Sequence, residues 1–293
     1  MTVTTSPAPY QAVLLAAGRG SRFGQRTEEI PKALLPIGPR SLDDHQPTSF
    51  LQRQCELLRA AGVEQIVVVA GYLKEMLLDA VNSWDLGVQV VVNNAPDINS
   101  SGSLHSFQFA ARAGIGVLDG KHQTLMIDAD IVYHSEMLRR FIAAPARTSM
   151  LVCSTYQAGA EEVLVYGTAS KPRFMGKGLG GELVCAEPCL GEATGMVKFA
   201  PGDHRAARKT IDWMLGDPDA PLSAPERRGF GPARQATEHE ELTQRFMHYR
   251  KIDCVIFSGD ELPFMEVDSE QEYAYLRDAF YPRLLRLEQE STR

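Results

Sequence analysis

The residues able to do chemistry fall in a few short stretches. The first is LLAAGRGSRFG at 14–24, followed by PKALLPI at 31–37. Gly18, Gly20 and Gly24 alternate with Arg19 and Arg22, and Arg26 and Lys32 stand just beyond. Glycines let backbone N–H groups come close to an anion. Arginine and lysine neutralise charge that builds during phosphoryl transfer. That composition suits a triphosphate. Two familiar phosphate loops do not fit. A Walker A loop needs Lys and then Ser or Thr after its last glycine, whereas Gln25 follows Gly24. A dinucleotide fingerprint needs glycine where Phe23 stands. Taken alone, a Gly/Arg string also describes a solvent-exposed basic turn. Ser21 is not in a nucleophile elbow, and the seven histidines are scattered without metal-ligand spacing.

The second stretch is acidic. Asp128 and Asp130 close the segment TLMIDAD, and Glu266 and Asp268 precede the final helical pattern. Neighbouring carboxylates at the end of a buried strand are costly unless a proton or cation meets them. Magnesium takes oxygen ligands, commonly one or two carboxylates with phosphate and water. One carboxylate from each pair would suffice. A role at a helix start is equally open for Asp268.

These residues need a scaffold. The chain has 293 residues, 44% hydrophobic and 23% charged, with a formal net charge of -7. That acidic balance argues against a nucleic-acid partner. No apolar run approaches the ~20 residues that span a bilayer. Met1–Pro9 lacks the basic start and apolar core of a secretory signal and reads as a disordered tail. Five cysteines in a chain this long are not a disulfide framework, so the thiols are expected reduced and the protein cytoplasmic. A homodimer is compatible with the composition, but no exposed apolar strip can be assigned to it.

Buried strands are expected at 11–17, 65–70, 88–92 and 124–128. Helices are expected over Phe50–Ala61, 73–84, 103–113 and 136–143. Ser49 and Gln52 have capping-box spacing, and Ser135 is placed to cap the last of these helices. The alternation predicts a mostly parallel sheet with helices on both faces. The second half reads as strands at 149–155, 162–166, 181–186, 194–200 and 251–257, with helices at 203–215 and 237–248. Between them, 216–236 is a long Pro/Gly/Arg-rich loop. A last helix starts at Ser269 with Glu272 in capping-box position, and Tyr273, Leu276, Phe280, Leu284 and Leu287 form its buried stripe.

The string LLAAGRGSRFG-x7-PKALLPI resembles the signature of the sugar-nucleotide-type nucleotidyltransferases. Within them the chain is similar to the bacterial choline-phosphate and phosphonate cytidylyltransferases, from about Gln11 to Leu285. VAGYLKE at 69–75, IDAD at 127–130, LVYG at 164–167 and EVDSEQEY at 266–273 occur in that family's order. The resemblance implies a single α/β, Rossmann-like (GT-A-like) domain with a nucleotide half over 10–145. A smaller acceptor lobe, 146–290, would follow. It implies transfer of CMP from CTP to a phosphoalcohol or phosphonate, with Mg2+ on Asp130, Asp268 and Glu266. Asp128 would be structural. Ala16, Ala17, Gly18, Arg19, Gly20 and Ser21 would hold the triphosphate. Arg22 would stabilise the leaving phosphates and Lys32 the α-phosphoryl group. Asn99, Gly102 and Ser103 would lie by the base, where Ser101 or Ser103 could also cap a helix. GEATGMVKF at 191–199 resembles the acceptor-side strand, making Glu192, Gly195 and Lys198 acceptor residues together with Tyr166 of LVYG. Lys198 would pair with a phosphate or phosphonate, or be an exposed strand lysine. Glu240 and Glu241 fit either that pocket or a solvated helix face.

One departure separates this chain from choline-handling relatives, which hold a quaternary ammonium on aromatic rings. Glu161, Glu162 and Val163 precede LVYG here, with only Tyr166 and Phe174 nearby. Acids at that place suit a primary amine. Loop 39–48 is longer than in those relatives, with no role assigned. Two other readings stay open: a hexose-1-phosphate nucleotidyltransferase, and a non-catalytic nucleotide-binding protein.

Overall fold

A computed structural model of the chain describes residues 8–95, 97–98, 101–156, 162–178, 187–216, 237–249 and 252–291. The strand expected at 181–186 and all of loop 216–236 except Gly216 lie outside the described residues. In chain order the strands are β1 (Tyr10–Ala16), β2 (Pro36–Pro39), β3 (Pro47–Ser49), β4 (Gln65–Ala70), β5 (Gln89–Val92), β6 (Gln123–Asp128) and β7 (Ile131–Tyr133). They continue with β8 (Ser149–Cys153), β9 (Val163–Thr168), β10 (Lys171–Lys177), β11 (Cys189–Phe199), β12 (Asp253–Phe257) and β13 (Phe264–Glu266). The helices are α1 (Arg26–Glu29), α2 (Phe50–Ala60), α3 (Lys74–Ser83), α4 (Ser103–Arg112), α5 (Ser135–Ala143), α6 (His204–Leu215), α7 (His239–Tyr249), α8 (Glu270–Tyr275) and α9 (Tyr281–Ser291).

The main sheet runs β10-β9-β11-β6-β1-β4-β5, with β8 on β11 and β12 on β8. Its centre is parallel: β6, β1, β4 and β5 all run the same way. Both faces of β1 are buried because its residues alternate between two cores. Val13 packs with α4, α6 and α7 through Phe107, Ile211 and Phe246. Ala12 and Leu14 pack with α2, α3 and α5 through Leu58, Leu77 and Phe141. The continuous apolar run in the sequence is this two-sided burial. Strands β9, β10 and β11 run antiparallel and build the smaller lobe. Among the described residues no helix is long and apolar enough to cross a membrane.

A third core ties the C-terminal helix to the Gly/Arg loop. Phe23, Leu35, Ile37 and Phe50 pack against Tyr273, Leu276, Tyr281 and Leu284. The Tyr273 hydroxyl donates to Pro36 O at 2.6 Å and the Tyr281 hydroxyl to Pro39 O at 3.0 Å. The buried Arg53 pairs with Glu288 at 2.9 Å. The expected stripe holds for Tyr273, Leu276 and Leu284 but not for Leu287. A π-helical turn at Leu276–Phe280 adds a residue and moves the buried face to Tyr281, Leu284 and Leu285.

Local signals were correct at some caps and not at others. The Ser49 hydroxyl accepts from Gln52 N, yet the Gln52 amide turns to Glu56, so only half of the box forms. α5 is capped by the His134 ring, which accepts from Glu136 N at 3.1 Å, and not by Ser135. Expected loop 39–48 is the connection of a hairpin, with β2 ending at Pro39 and β3 beginning at Pro47.

Lys198 is a correction. It is 0% exposed, and its ammonium donates to Phe141 O at 3.0 Å and Ala144 O at 3.1 Å. It closes the C-terminus of α5 instead of meeting an acceptor. The reason is strand direction. β11 runs antiparallel to β6, with Met196 opposite Ile127 and Lys198 opposite Leu125. Moving along β11 toward Lys198 therefore leads away from the Asp128 end of β6. Burial pulls its pKa down to about 8. Replacing it with methionine leaves two helix carbonyls without a donor. Lys198→Met should cost about 1–3 kcal/mol in urea unfolding and leave acceptor KM unchanged.

Candidate active site

The carboxyl ends of β1 and β6 open into a cleft of about 320 Å³. Its floor is Ala16, Ala17, Asp128, Ala129 and Asp130. One wall is Gly18, Gly20, Ser21, Arg22 and Lys32. The opposite wall is Ser101, Gly102 and Ser103 with Glu238, His239 and Glu240. Lys177, Glu266 and Asp268 close the far side. A ligand crevice at this edge is what a doubly wound sheet provides.

Lys32 is the hub. It is 8% exposed and its ammonium lies 2.6 Å from Asp130 Oδ2 and 2.9 Å from Asp268 Oδ1. Burial alone would lower its pKa, but the two carboxylates outweigh it and hold the group charged. Asp268 follows the same logic in reverse. Burial would raise it, yet Lys32 and Arg22 hold it below the usual carboxylate range. Arg22 Nη1 lies 2.9 Å from Asp268 Oδ2 at the half-exposed rim. Gly20 permits this packing. It sits at φ +64, and a Cβ there would lie 3.1 Å from the Lys32 side chain. Thr27 fixes the loop by donating to Gly20 O at 2.9 Å.

The two acidic pairs meet because β13 pairs antiparallel with β7, setting Glu266 opposite Ile131. Val267 N donates to Asp130 O across the same junction. The predicted capping box at Ser269 forms, and Glu272 Oε2 also accepts from Asp268 N at 2.7 Å, which holds the Asp268 turn. Carboxylate oxygens of Asp130, Glu266 and Asp268 then lie within 4.8 Å of one another. Burial, then Asp130, Asp268 and Asp128, push the Glu266 carboxyl well above its ordinary value. Three acids thus gather hard oxygen donors around one buried lysine, and Glu266 is the one that resists ionising there without a further cation. That donor set fits a magnesium ion.

Asp128 belongs to a different pair. Its Oδ2 lies 2.8 Å from His239 Nε2, and the His239 side chain is 4% exposed. Burial would lower the ring, but Asp128 and then Glu240 push it up to about 10. Burial raises Asp128 as well, and Glu240 raises both groups, so the two hold a shared proton between them. Gly195 makes room for Asp128. It sits at φ +71, and a Cβ there would lie 2.3 Å from Asp128 Oδ2.

The remaining predicted residues divide. Arg19 turns out of the cleft and stacks over Tyr72. Gly102 precedes α4, its N–H donating to the His105 ring. Neither nearby serine caps that helix. Ser101 Oγ accepts from Asn93, while Glu238 Oε2 accepts from the Ser103 N–H and hydroxyl. Asn99 lies outside the described residues. Glu192 is half-buried, and burial, then Glu162 and Glu272, push it up to about 7. Tyr166 is 5% exposed and packs with Leu164 and Cys189 outside the cleft. Glu241 is buried and Glu240 faces the cleft, so neither belongs to a solvated face. Lys177, Glu238 and His239 were not singled out from sequence. They come from distant elements and carry no local motif.

The His239 ring should stay protonated across neutral pH and titrate near pH 10 by NMR. Its raised pKa means its stabilisation is complete below the ordinary value of 6.5 and is lost as pH rises through about 10. Asp128→Asn should bring the titration down toward 6.5. A wild-type ring already titrating there would contradict the pairing.

Residues 12–180 match the family model of the MobA-like NTP transferase domain. CMP-5'-(3-aminopropyl)phosphonate synthase of Streptomyces rubellomurinus is 30% identical over 149 residues, covering 50% of this chain and 21% of that protein. CTP:phosphoglutamine cytidylyltransferase of Campylobacter jejuni is 28% identical over 141 residues, covering 48% of this chain and 51% of that protein. The chain thus spans about a fifth and about half of these relatives. The solved CTP:phosphocholine cytidylyltransferase of Streptococcus pneumoniae superposes with a TM-score of 0.62 at 18% identity, covering 93% of this chain and 99% of that one. That likeness is one of fold. The family match runs from β1 past β10 and takes in the Gly/Arg loop, Lys32 and Asp130, and the chain belongs to the MobA-like NTP transferase domain family.

Proposed function

We propose that the chain transfers CMP from CTP to a small phosphonate or phosphoalcohol bearing a primary amine. An oxygen of the acceptor forms a bond to the α-phosphorus, the bond to the β-phosphate oxygen breaks, and pyrophosphate leaves. No protein nucleophile takes part. The observation that carries this reading is the buried Lys32 held between Asp130 and Asp268, beside the Gly18–Arg22 backbone. In this reading the N–H groups of Ala17 to Ser21 hold the triphosphate. Arg22, half-exposed at the rim, meets the leaving phosphates. Lys32 meets the α-phosphoryl oxygens. Asp130 and Asp268, with Glu266, would hold magnesium, which when bound supplies charge neutralisation for phosphate oxygens. Residues 10–145 would form the nucleotide half and 146–290 the acceptor half. The choice of cytosine is supported by the relatives, whose names specify CMP and CTP.

The amine is supported by acids beside the acceptor strand. Glu162 Oε2 is buried and accepts no hydrogen bond. Glu192 feels Glu162 and Glu272, and Glu272 holds the Asp268 turn. An ammonium group there would relieve the repulsion. The aminopropylphosphonate relative has an acceptor of this kind in its name. A quaternary ammonium is the second reading, because the exposed Tyr156 offers a ring beside the Cys189 thiol. Aminoalkylphosphonates and phosphocholine compared as acceptors separate the two.

Two outcomes follow. Lys32→Ala should lower kcat by roughly 100- to 1,000-fold, measured as pyrophosphate release under saturating CTP and acceptor. Near-normal turnover would overturn the catalytic assignment. Glu192 titrates at about 7, and only its carboxylate attracts an ammonium. Acceptor KM should therefore fall as pH rises from 6 to 8, beyond any change seen in Glu192→Gln. Identical pH profiles in the two proteins would remove Glu192 from the amine site.

A further inference from the structure

The cleft contains a polar pair that the proposed chemistry does not use. His239 Nε2 is taken by Asp128, but its Nδ1 is buried without a hydrogen-bond partner. Glu240 Oε2 is likewise buried and unpartnered. The two atoms lie 3.9 Å apart, too far for a hydrogen bond between them and close enough for one atom to bridge both. Both residues line the cleft, and the His239 side chain is 4% exposed. They form a loose ion pair, and neither atom makes the hydrogen bond that buried polar atoms usually have.

The chemistry of the pair restricts what fits. A charged ring presents a donor and a carboxylate presents an acceptor. An anion would be repelled by Glu240 and a cation by the His239 ring. A hydroxyl satisfies both, accepting from Nδ1–H and donating to Oε2. The position narrows it further. His239 N donates to Ser103 Oγ at 2.8 Å on the wall proposed for the base. His239 Nε2 reaches Asp128, two residues before the proposed metal ligand Asp130. The pair therefore stands between the base wall and the phosphate acids. In a nucleotide, the piece between base and α-phosphate is the sugar.

We infer that His239 and Glu240 together bind a ribose hydroxyl of the nucleotide and make the enzyme select ribonucleotides over deoxyribonucleotides. This rests on the proposed nucleotide orientation. It assigns a specificity role to two residues that touch the substrate away from the reacting atoms. Asp128 acts through His239, fixing the ring so that Nδ1–H points at the sugar.

The test compares CTP, 2'-deoxy-CTP, 3'-deoxy-CTP and UTP with wild type, Glu240→Gln and His239→Gln. kcat/KM comes from pyrophosphate release, and binding of each nucleotide comes from calorimetry without turnover. Wild type should lose about 10- to 100-fold when one of the two hydroxyls is removed, the usual worth of a hydrogen bond to a charged group. Glu240→Gln, a near-isosteric change at a partly exposed side chain, should bring CTP and that deoxynucleotide within about threefold of each other. The CTP:UTP ratio should not move. Discrimination that persists in Glu240→Gln, or a wild type indifferent to both hydroxyls, overturns the assignment while turnover with CTP leaves the proposed function standing. A shift in the CTP:UTP ratio in place of the sugar ratio would place the pair on the base, and also overturns it. Absence of all nucleotide binding removes both readings together.

Discussion

A lysine 8% exposed between two aspartates is the constraint around which the site is built. A buried ammonium is tolerated only with close counter-charges, and a buried carboxylate cluster only with a cation. Lys32 and the pair Asp130/Asp268 meet that condition for each other. Doing so needs three distant segments in register. The Gly/Arg loop must bring Lys32 in, the turn after β6 must present Asp130, and the C-terminal segment must return Asp268 to the same point. The third core and the β7–β13 ladder perform the last task. Interactions that look merely structural, such as Tyr273 with Pro36 or Arg53 with Glu288, thus hold a charge cluster in place.

The same arrangement sets the division of labour in the cleft. Lys32 and Arg22 answer Asp130 and Asp268, while Glu266 is left without a cation of its own beside oxygens that could hold a divalent ion. Across the floor, Asp128 is matched separately by His239. Two carboxylates two residues apart on one strand end therefore have different partners. Gly195 helps keep them apart by admitting Asp128 where any side chain would collide.

The residues of the charged cluster were legible in sequence because they are carried by short, contiguous strings. Gly18 to Arg22, Lys32, Asp130 and Asp268 all lie in such strings, and their local spacing survives folding. The parallel strands were legible for a similar reason, since burial on both faces writes a continuous apolar run. What was not legible depends on direction and distance. Lys198 shares a strand with Glu192, but the antiparallel course of β11 carries it to the far end of the sheet. Leu287 fell out of the buried stripe because a π turn changes the helical phase. His239, Glu238 and Lys177 have no periodic or motif signal, and only tertiary packing brings them to Ser103, Asp128 and Asp268. The acceptor side is therefore less legible than the nucleotide side: its residues sit on irregular antiparallel strands whose register the sequence does not announce.

The proposed role of this cluster is to join a nucleotide to a small phosphonate or phosphoalcohol. The most direct measurement is phosphorus NMR of the wild-type protein with CTP, Mg2+ and, in separate samples, 3-aminopropylphosphonate and phosphoethanolamine. The proposal predicts, with at least one of them, loss of the CTP triphosphate signals, with equimolar pyrophosphate and a new mixed anhydride linking the CMP phosphorus to the acceptor phosphorus. Unchanged CTP in both samples, or hydrolysis to free CMP with both acceptors untouched, would contradict it.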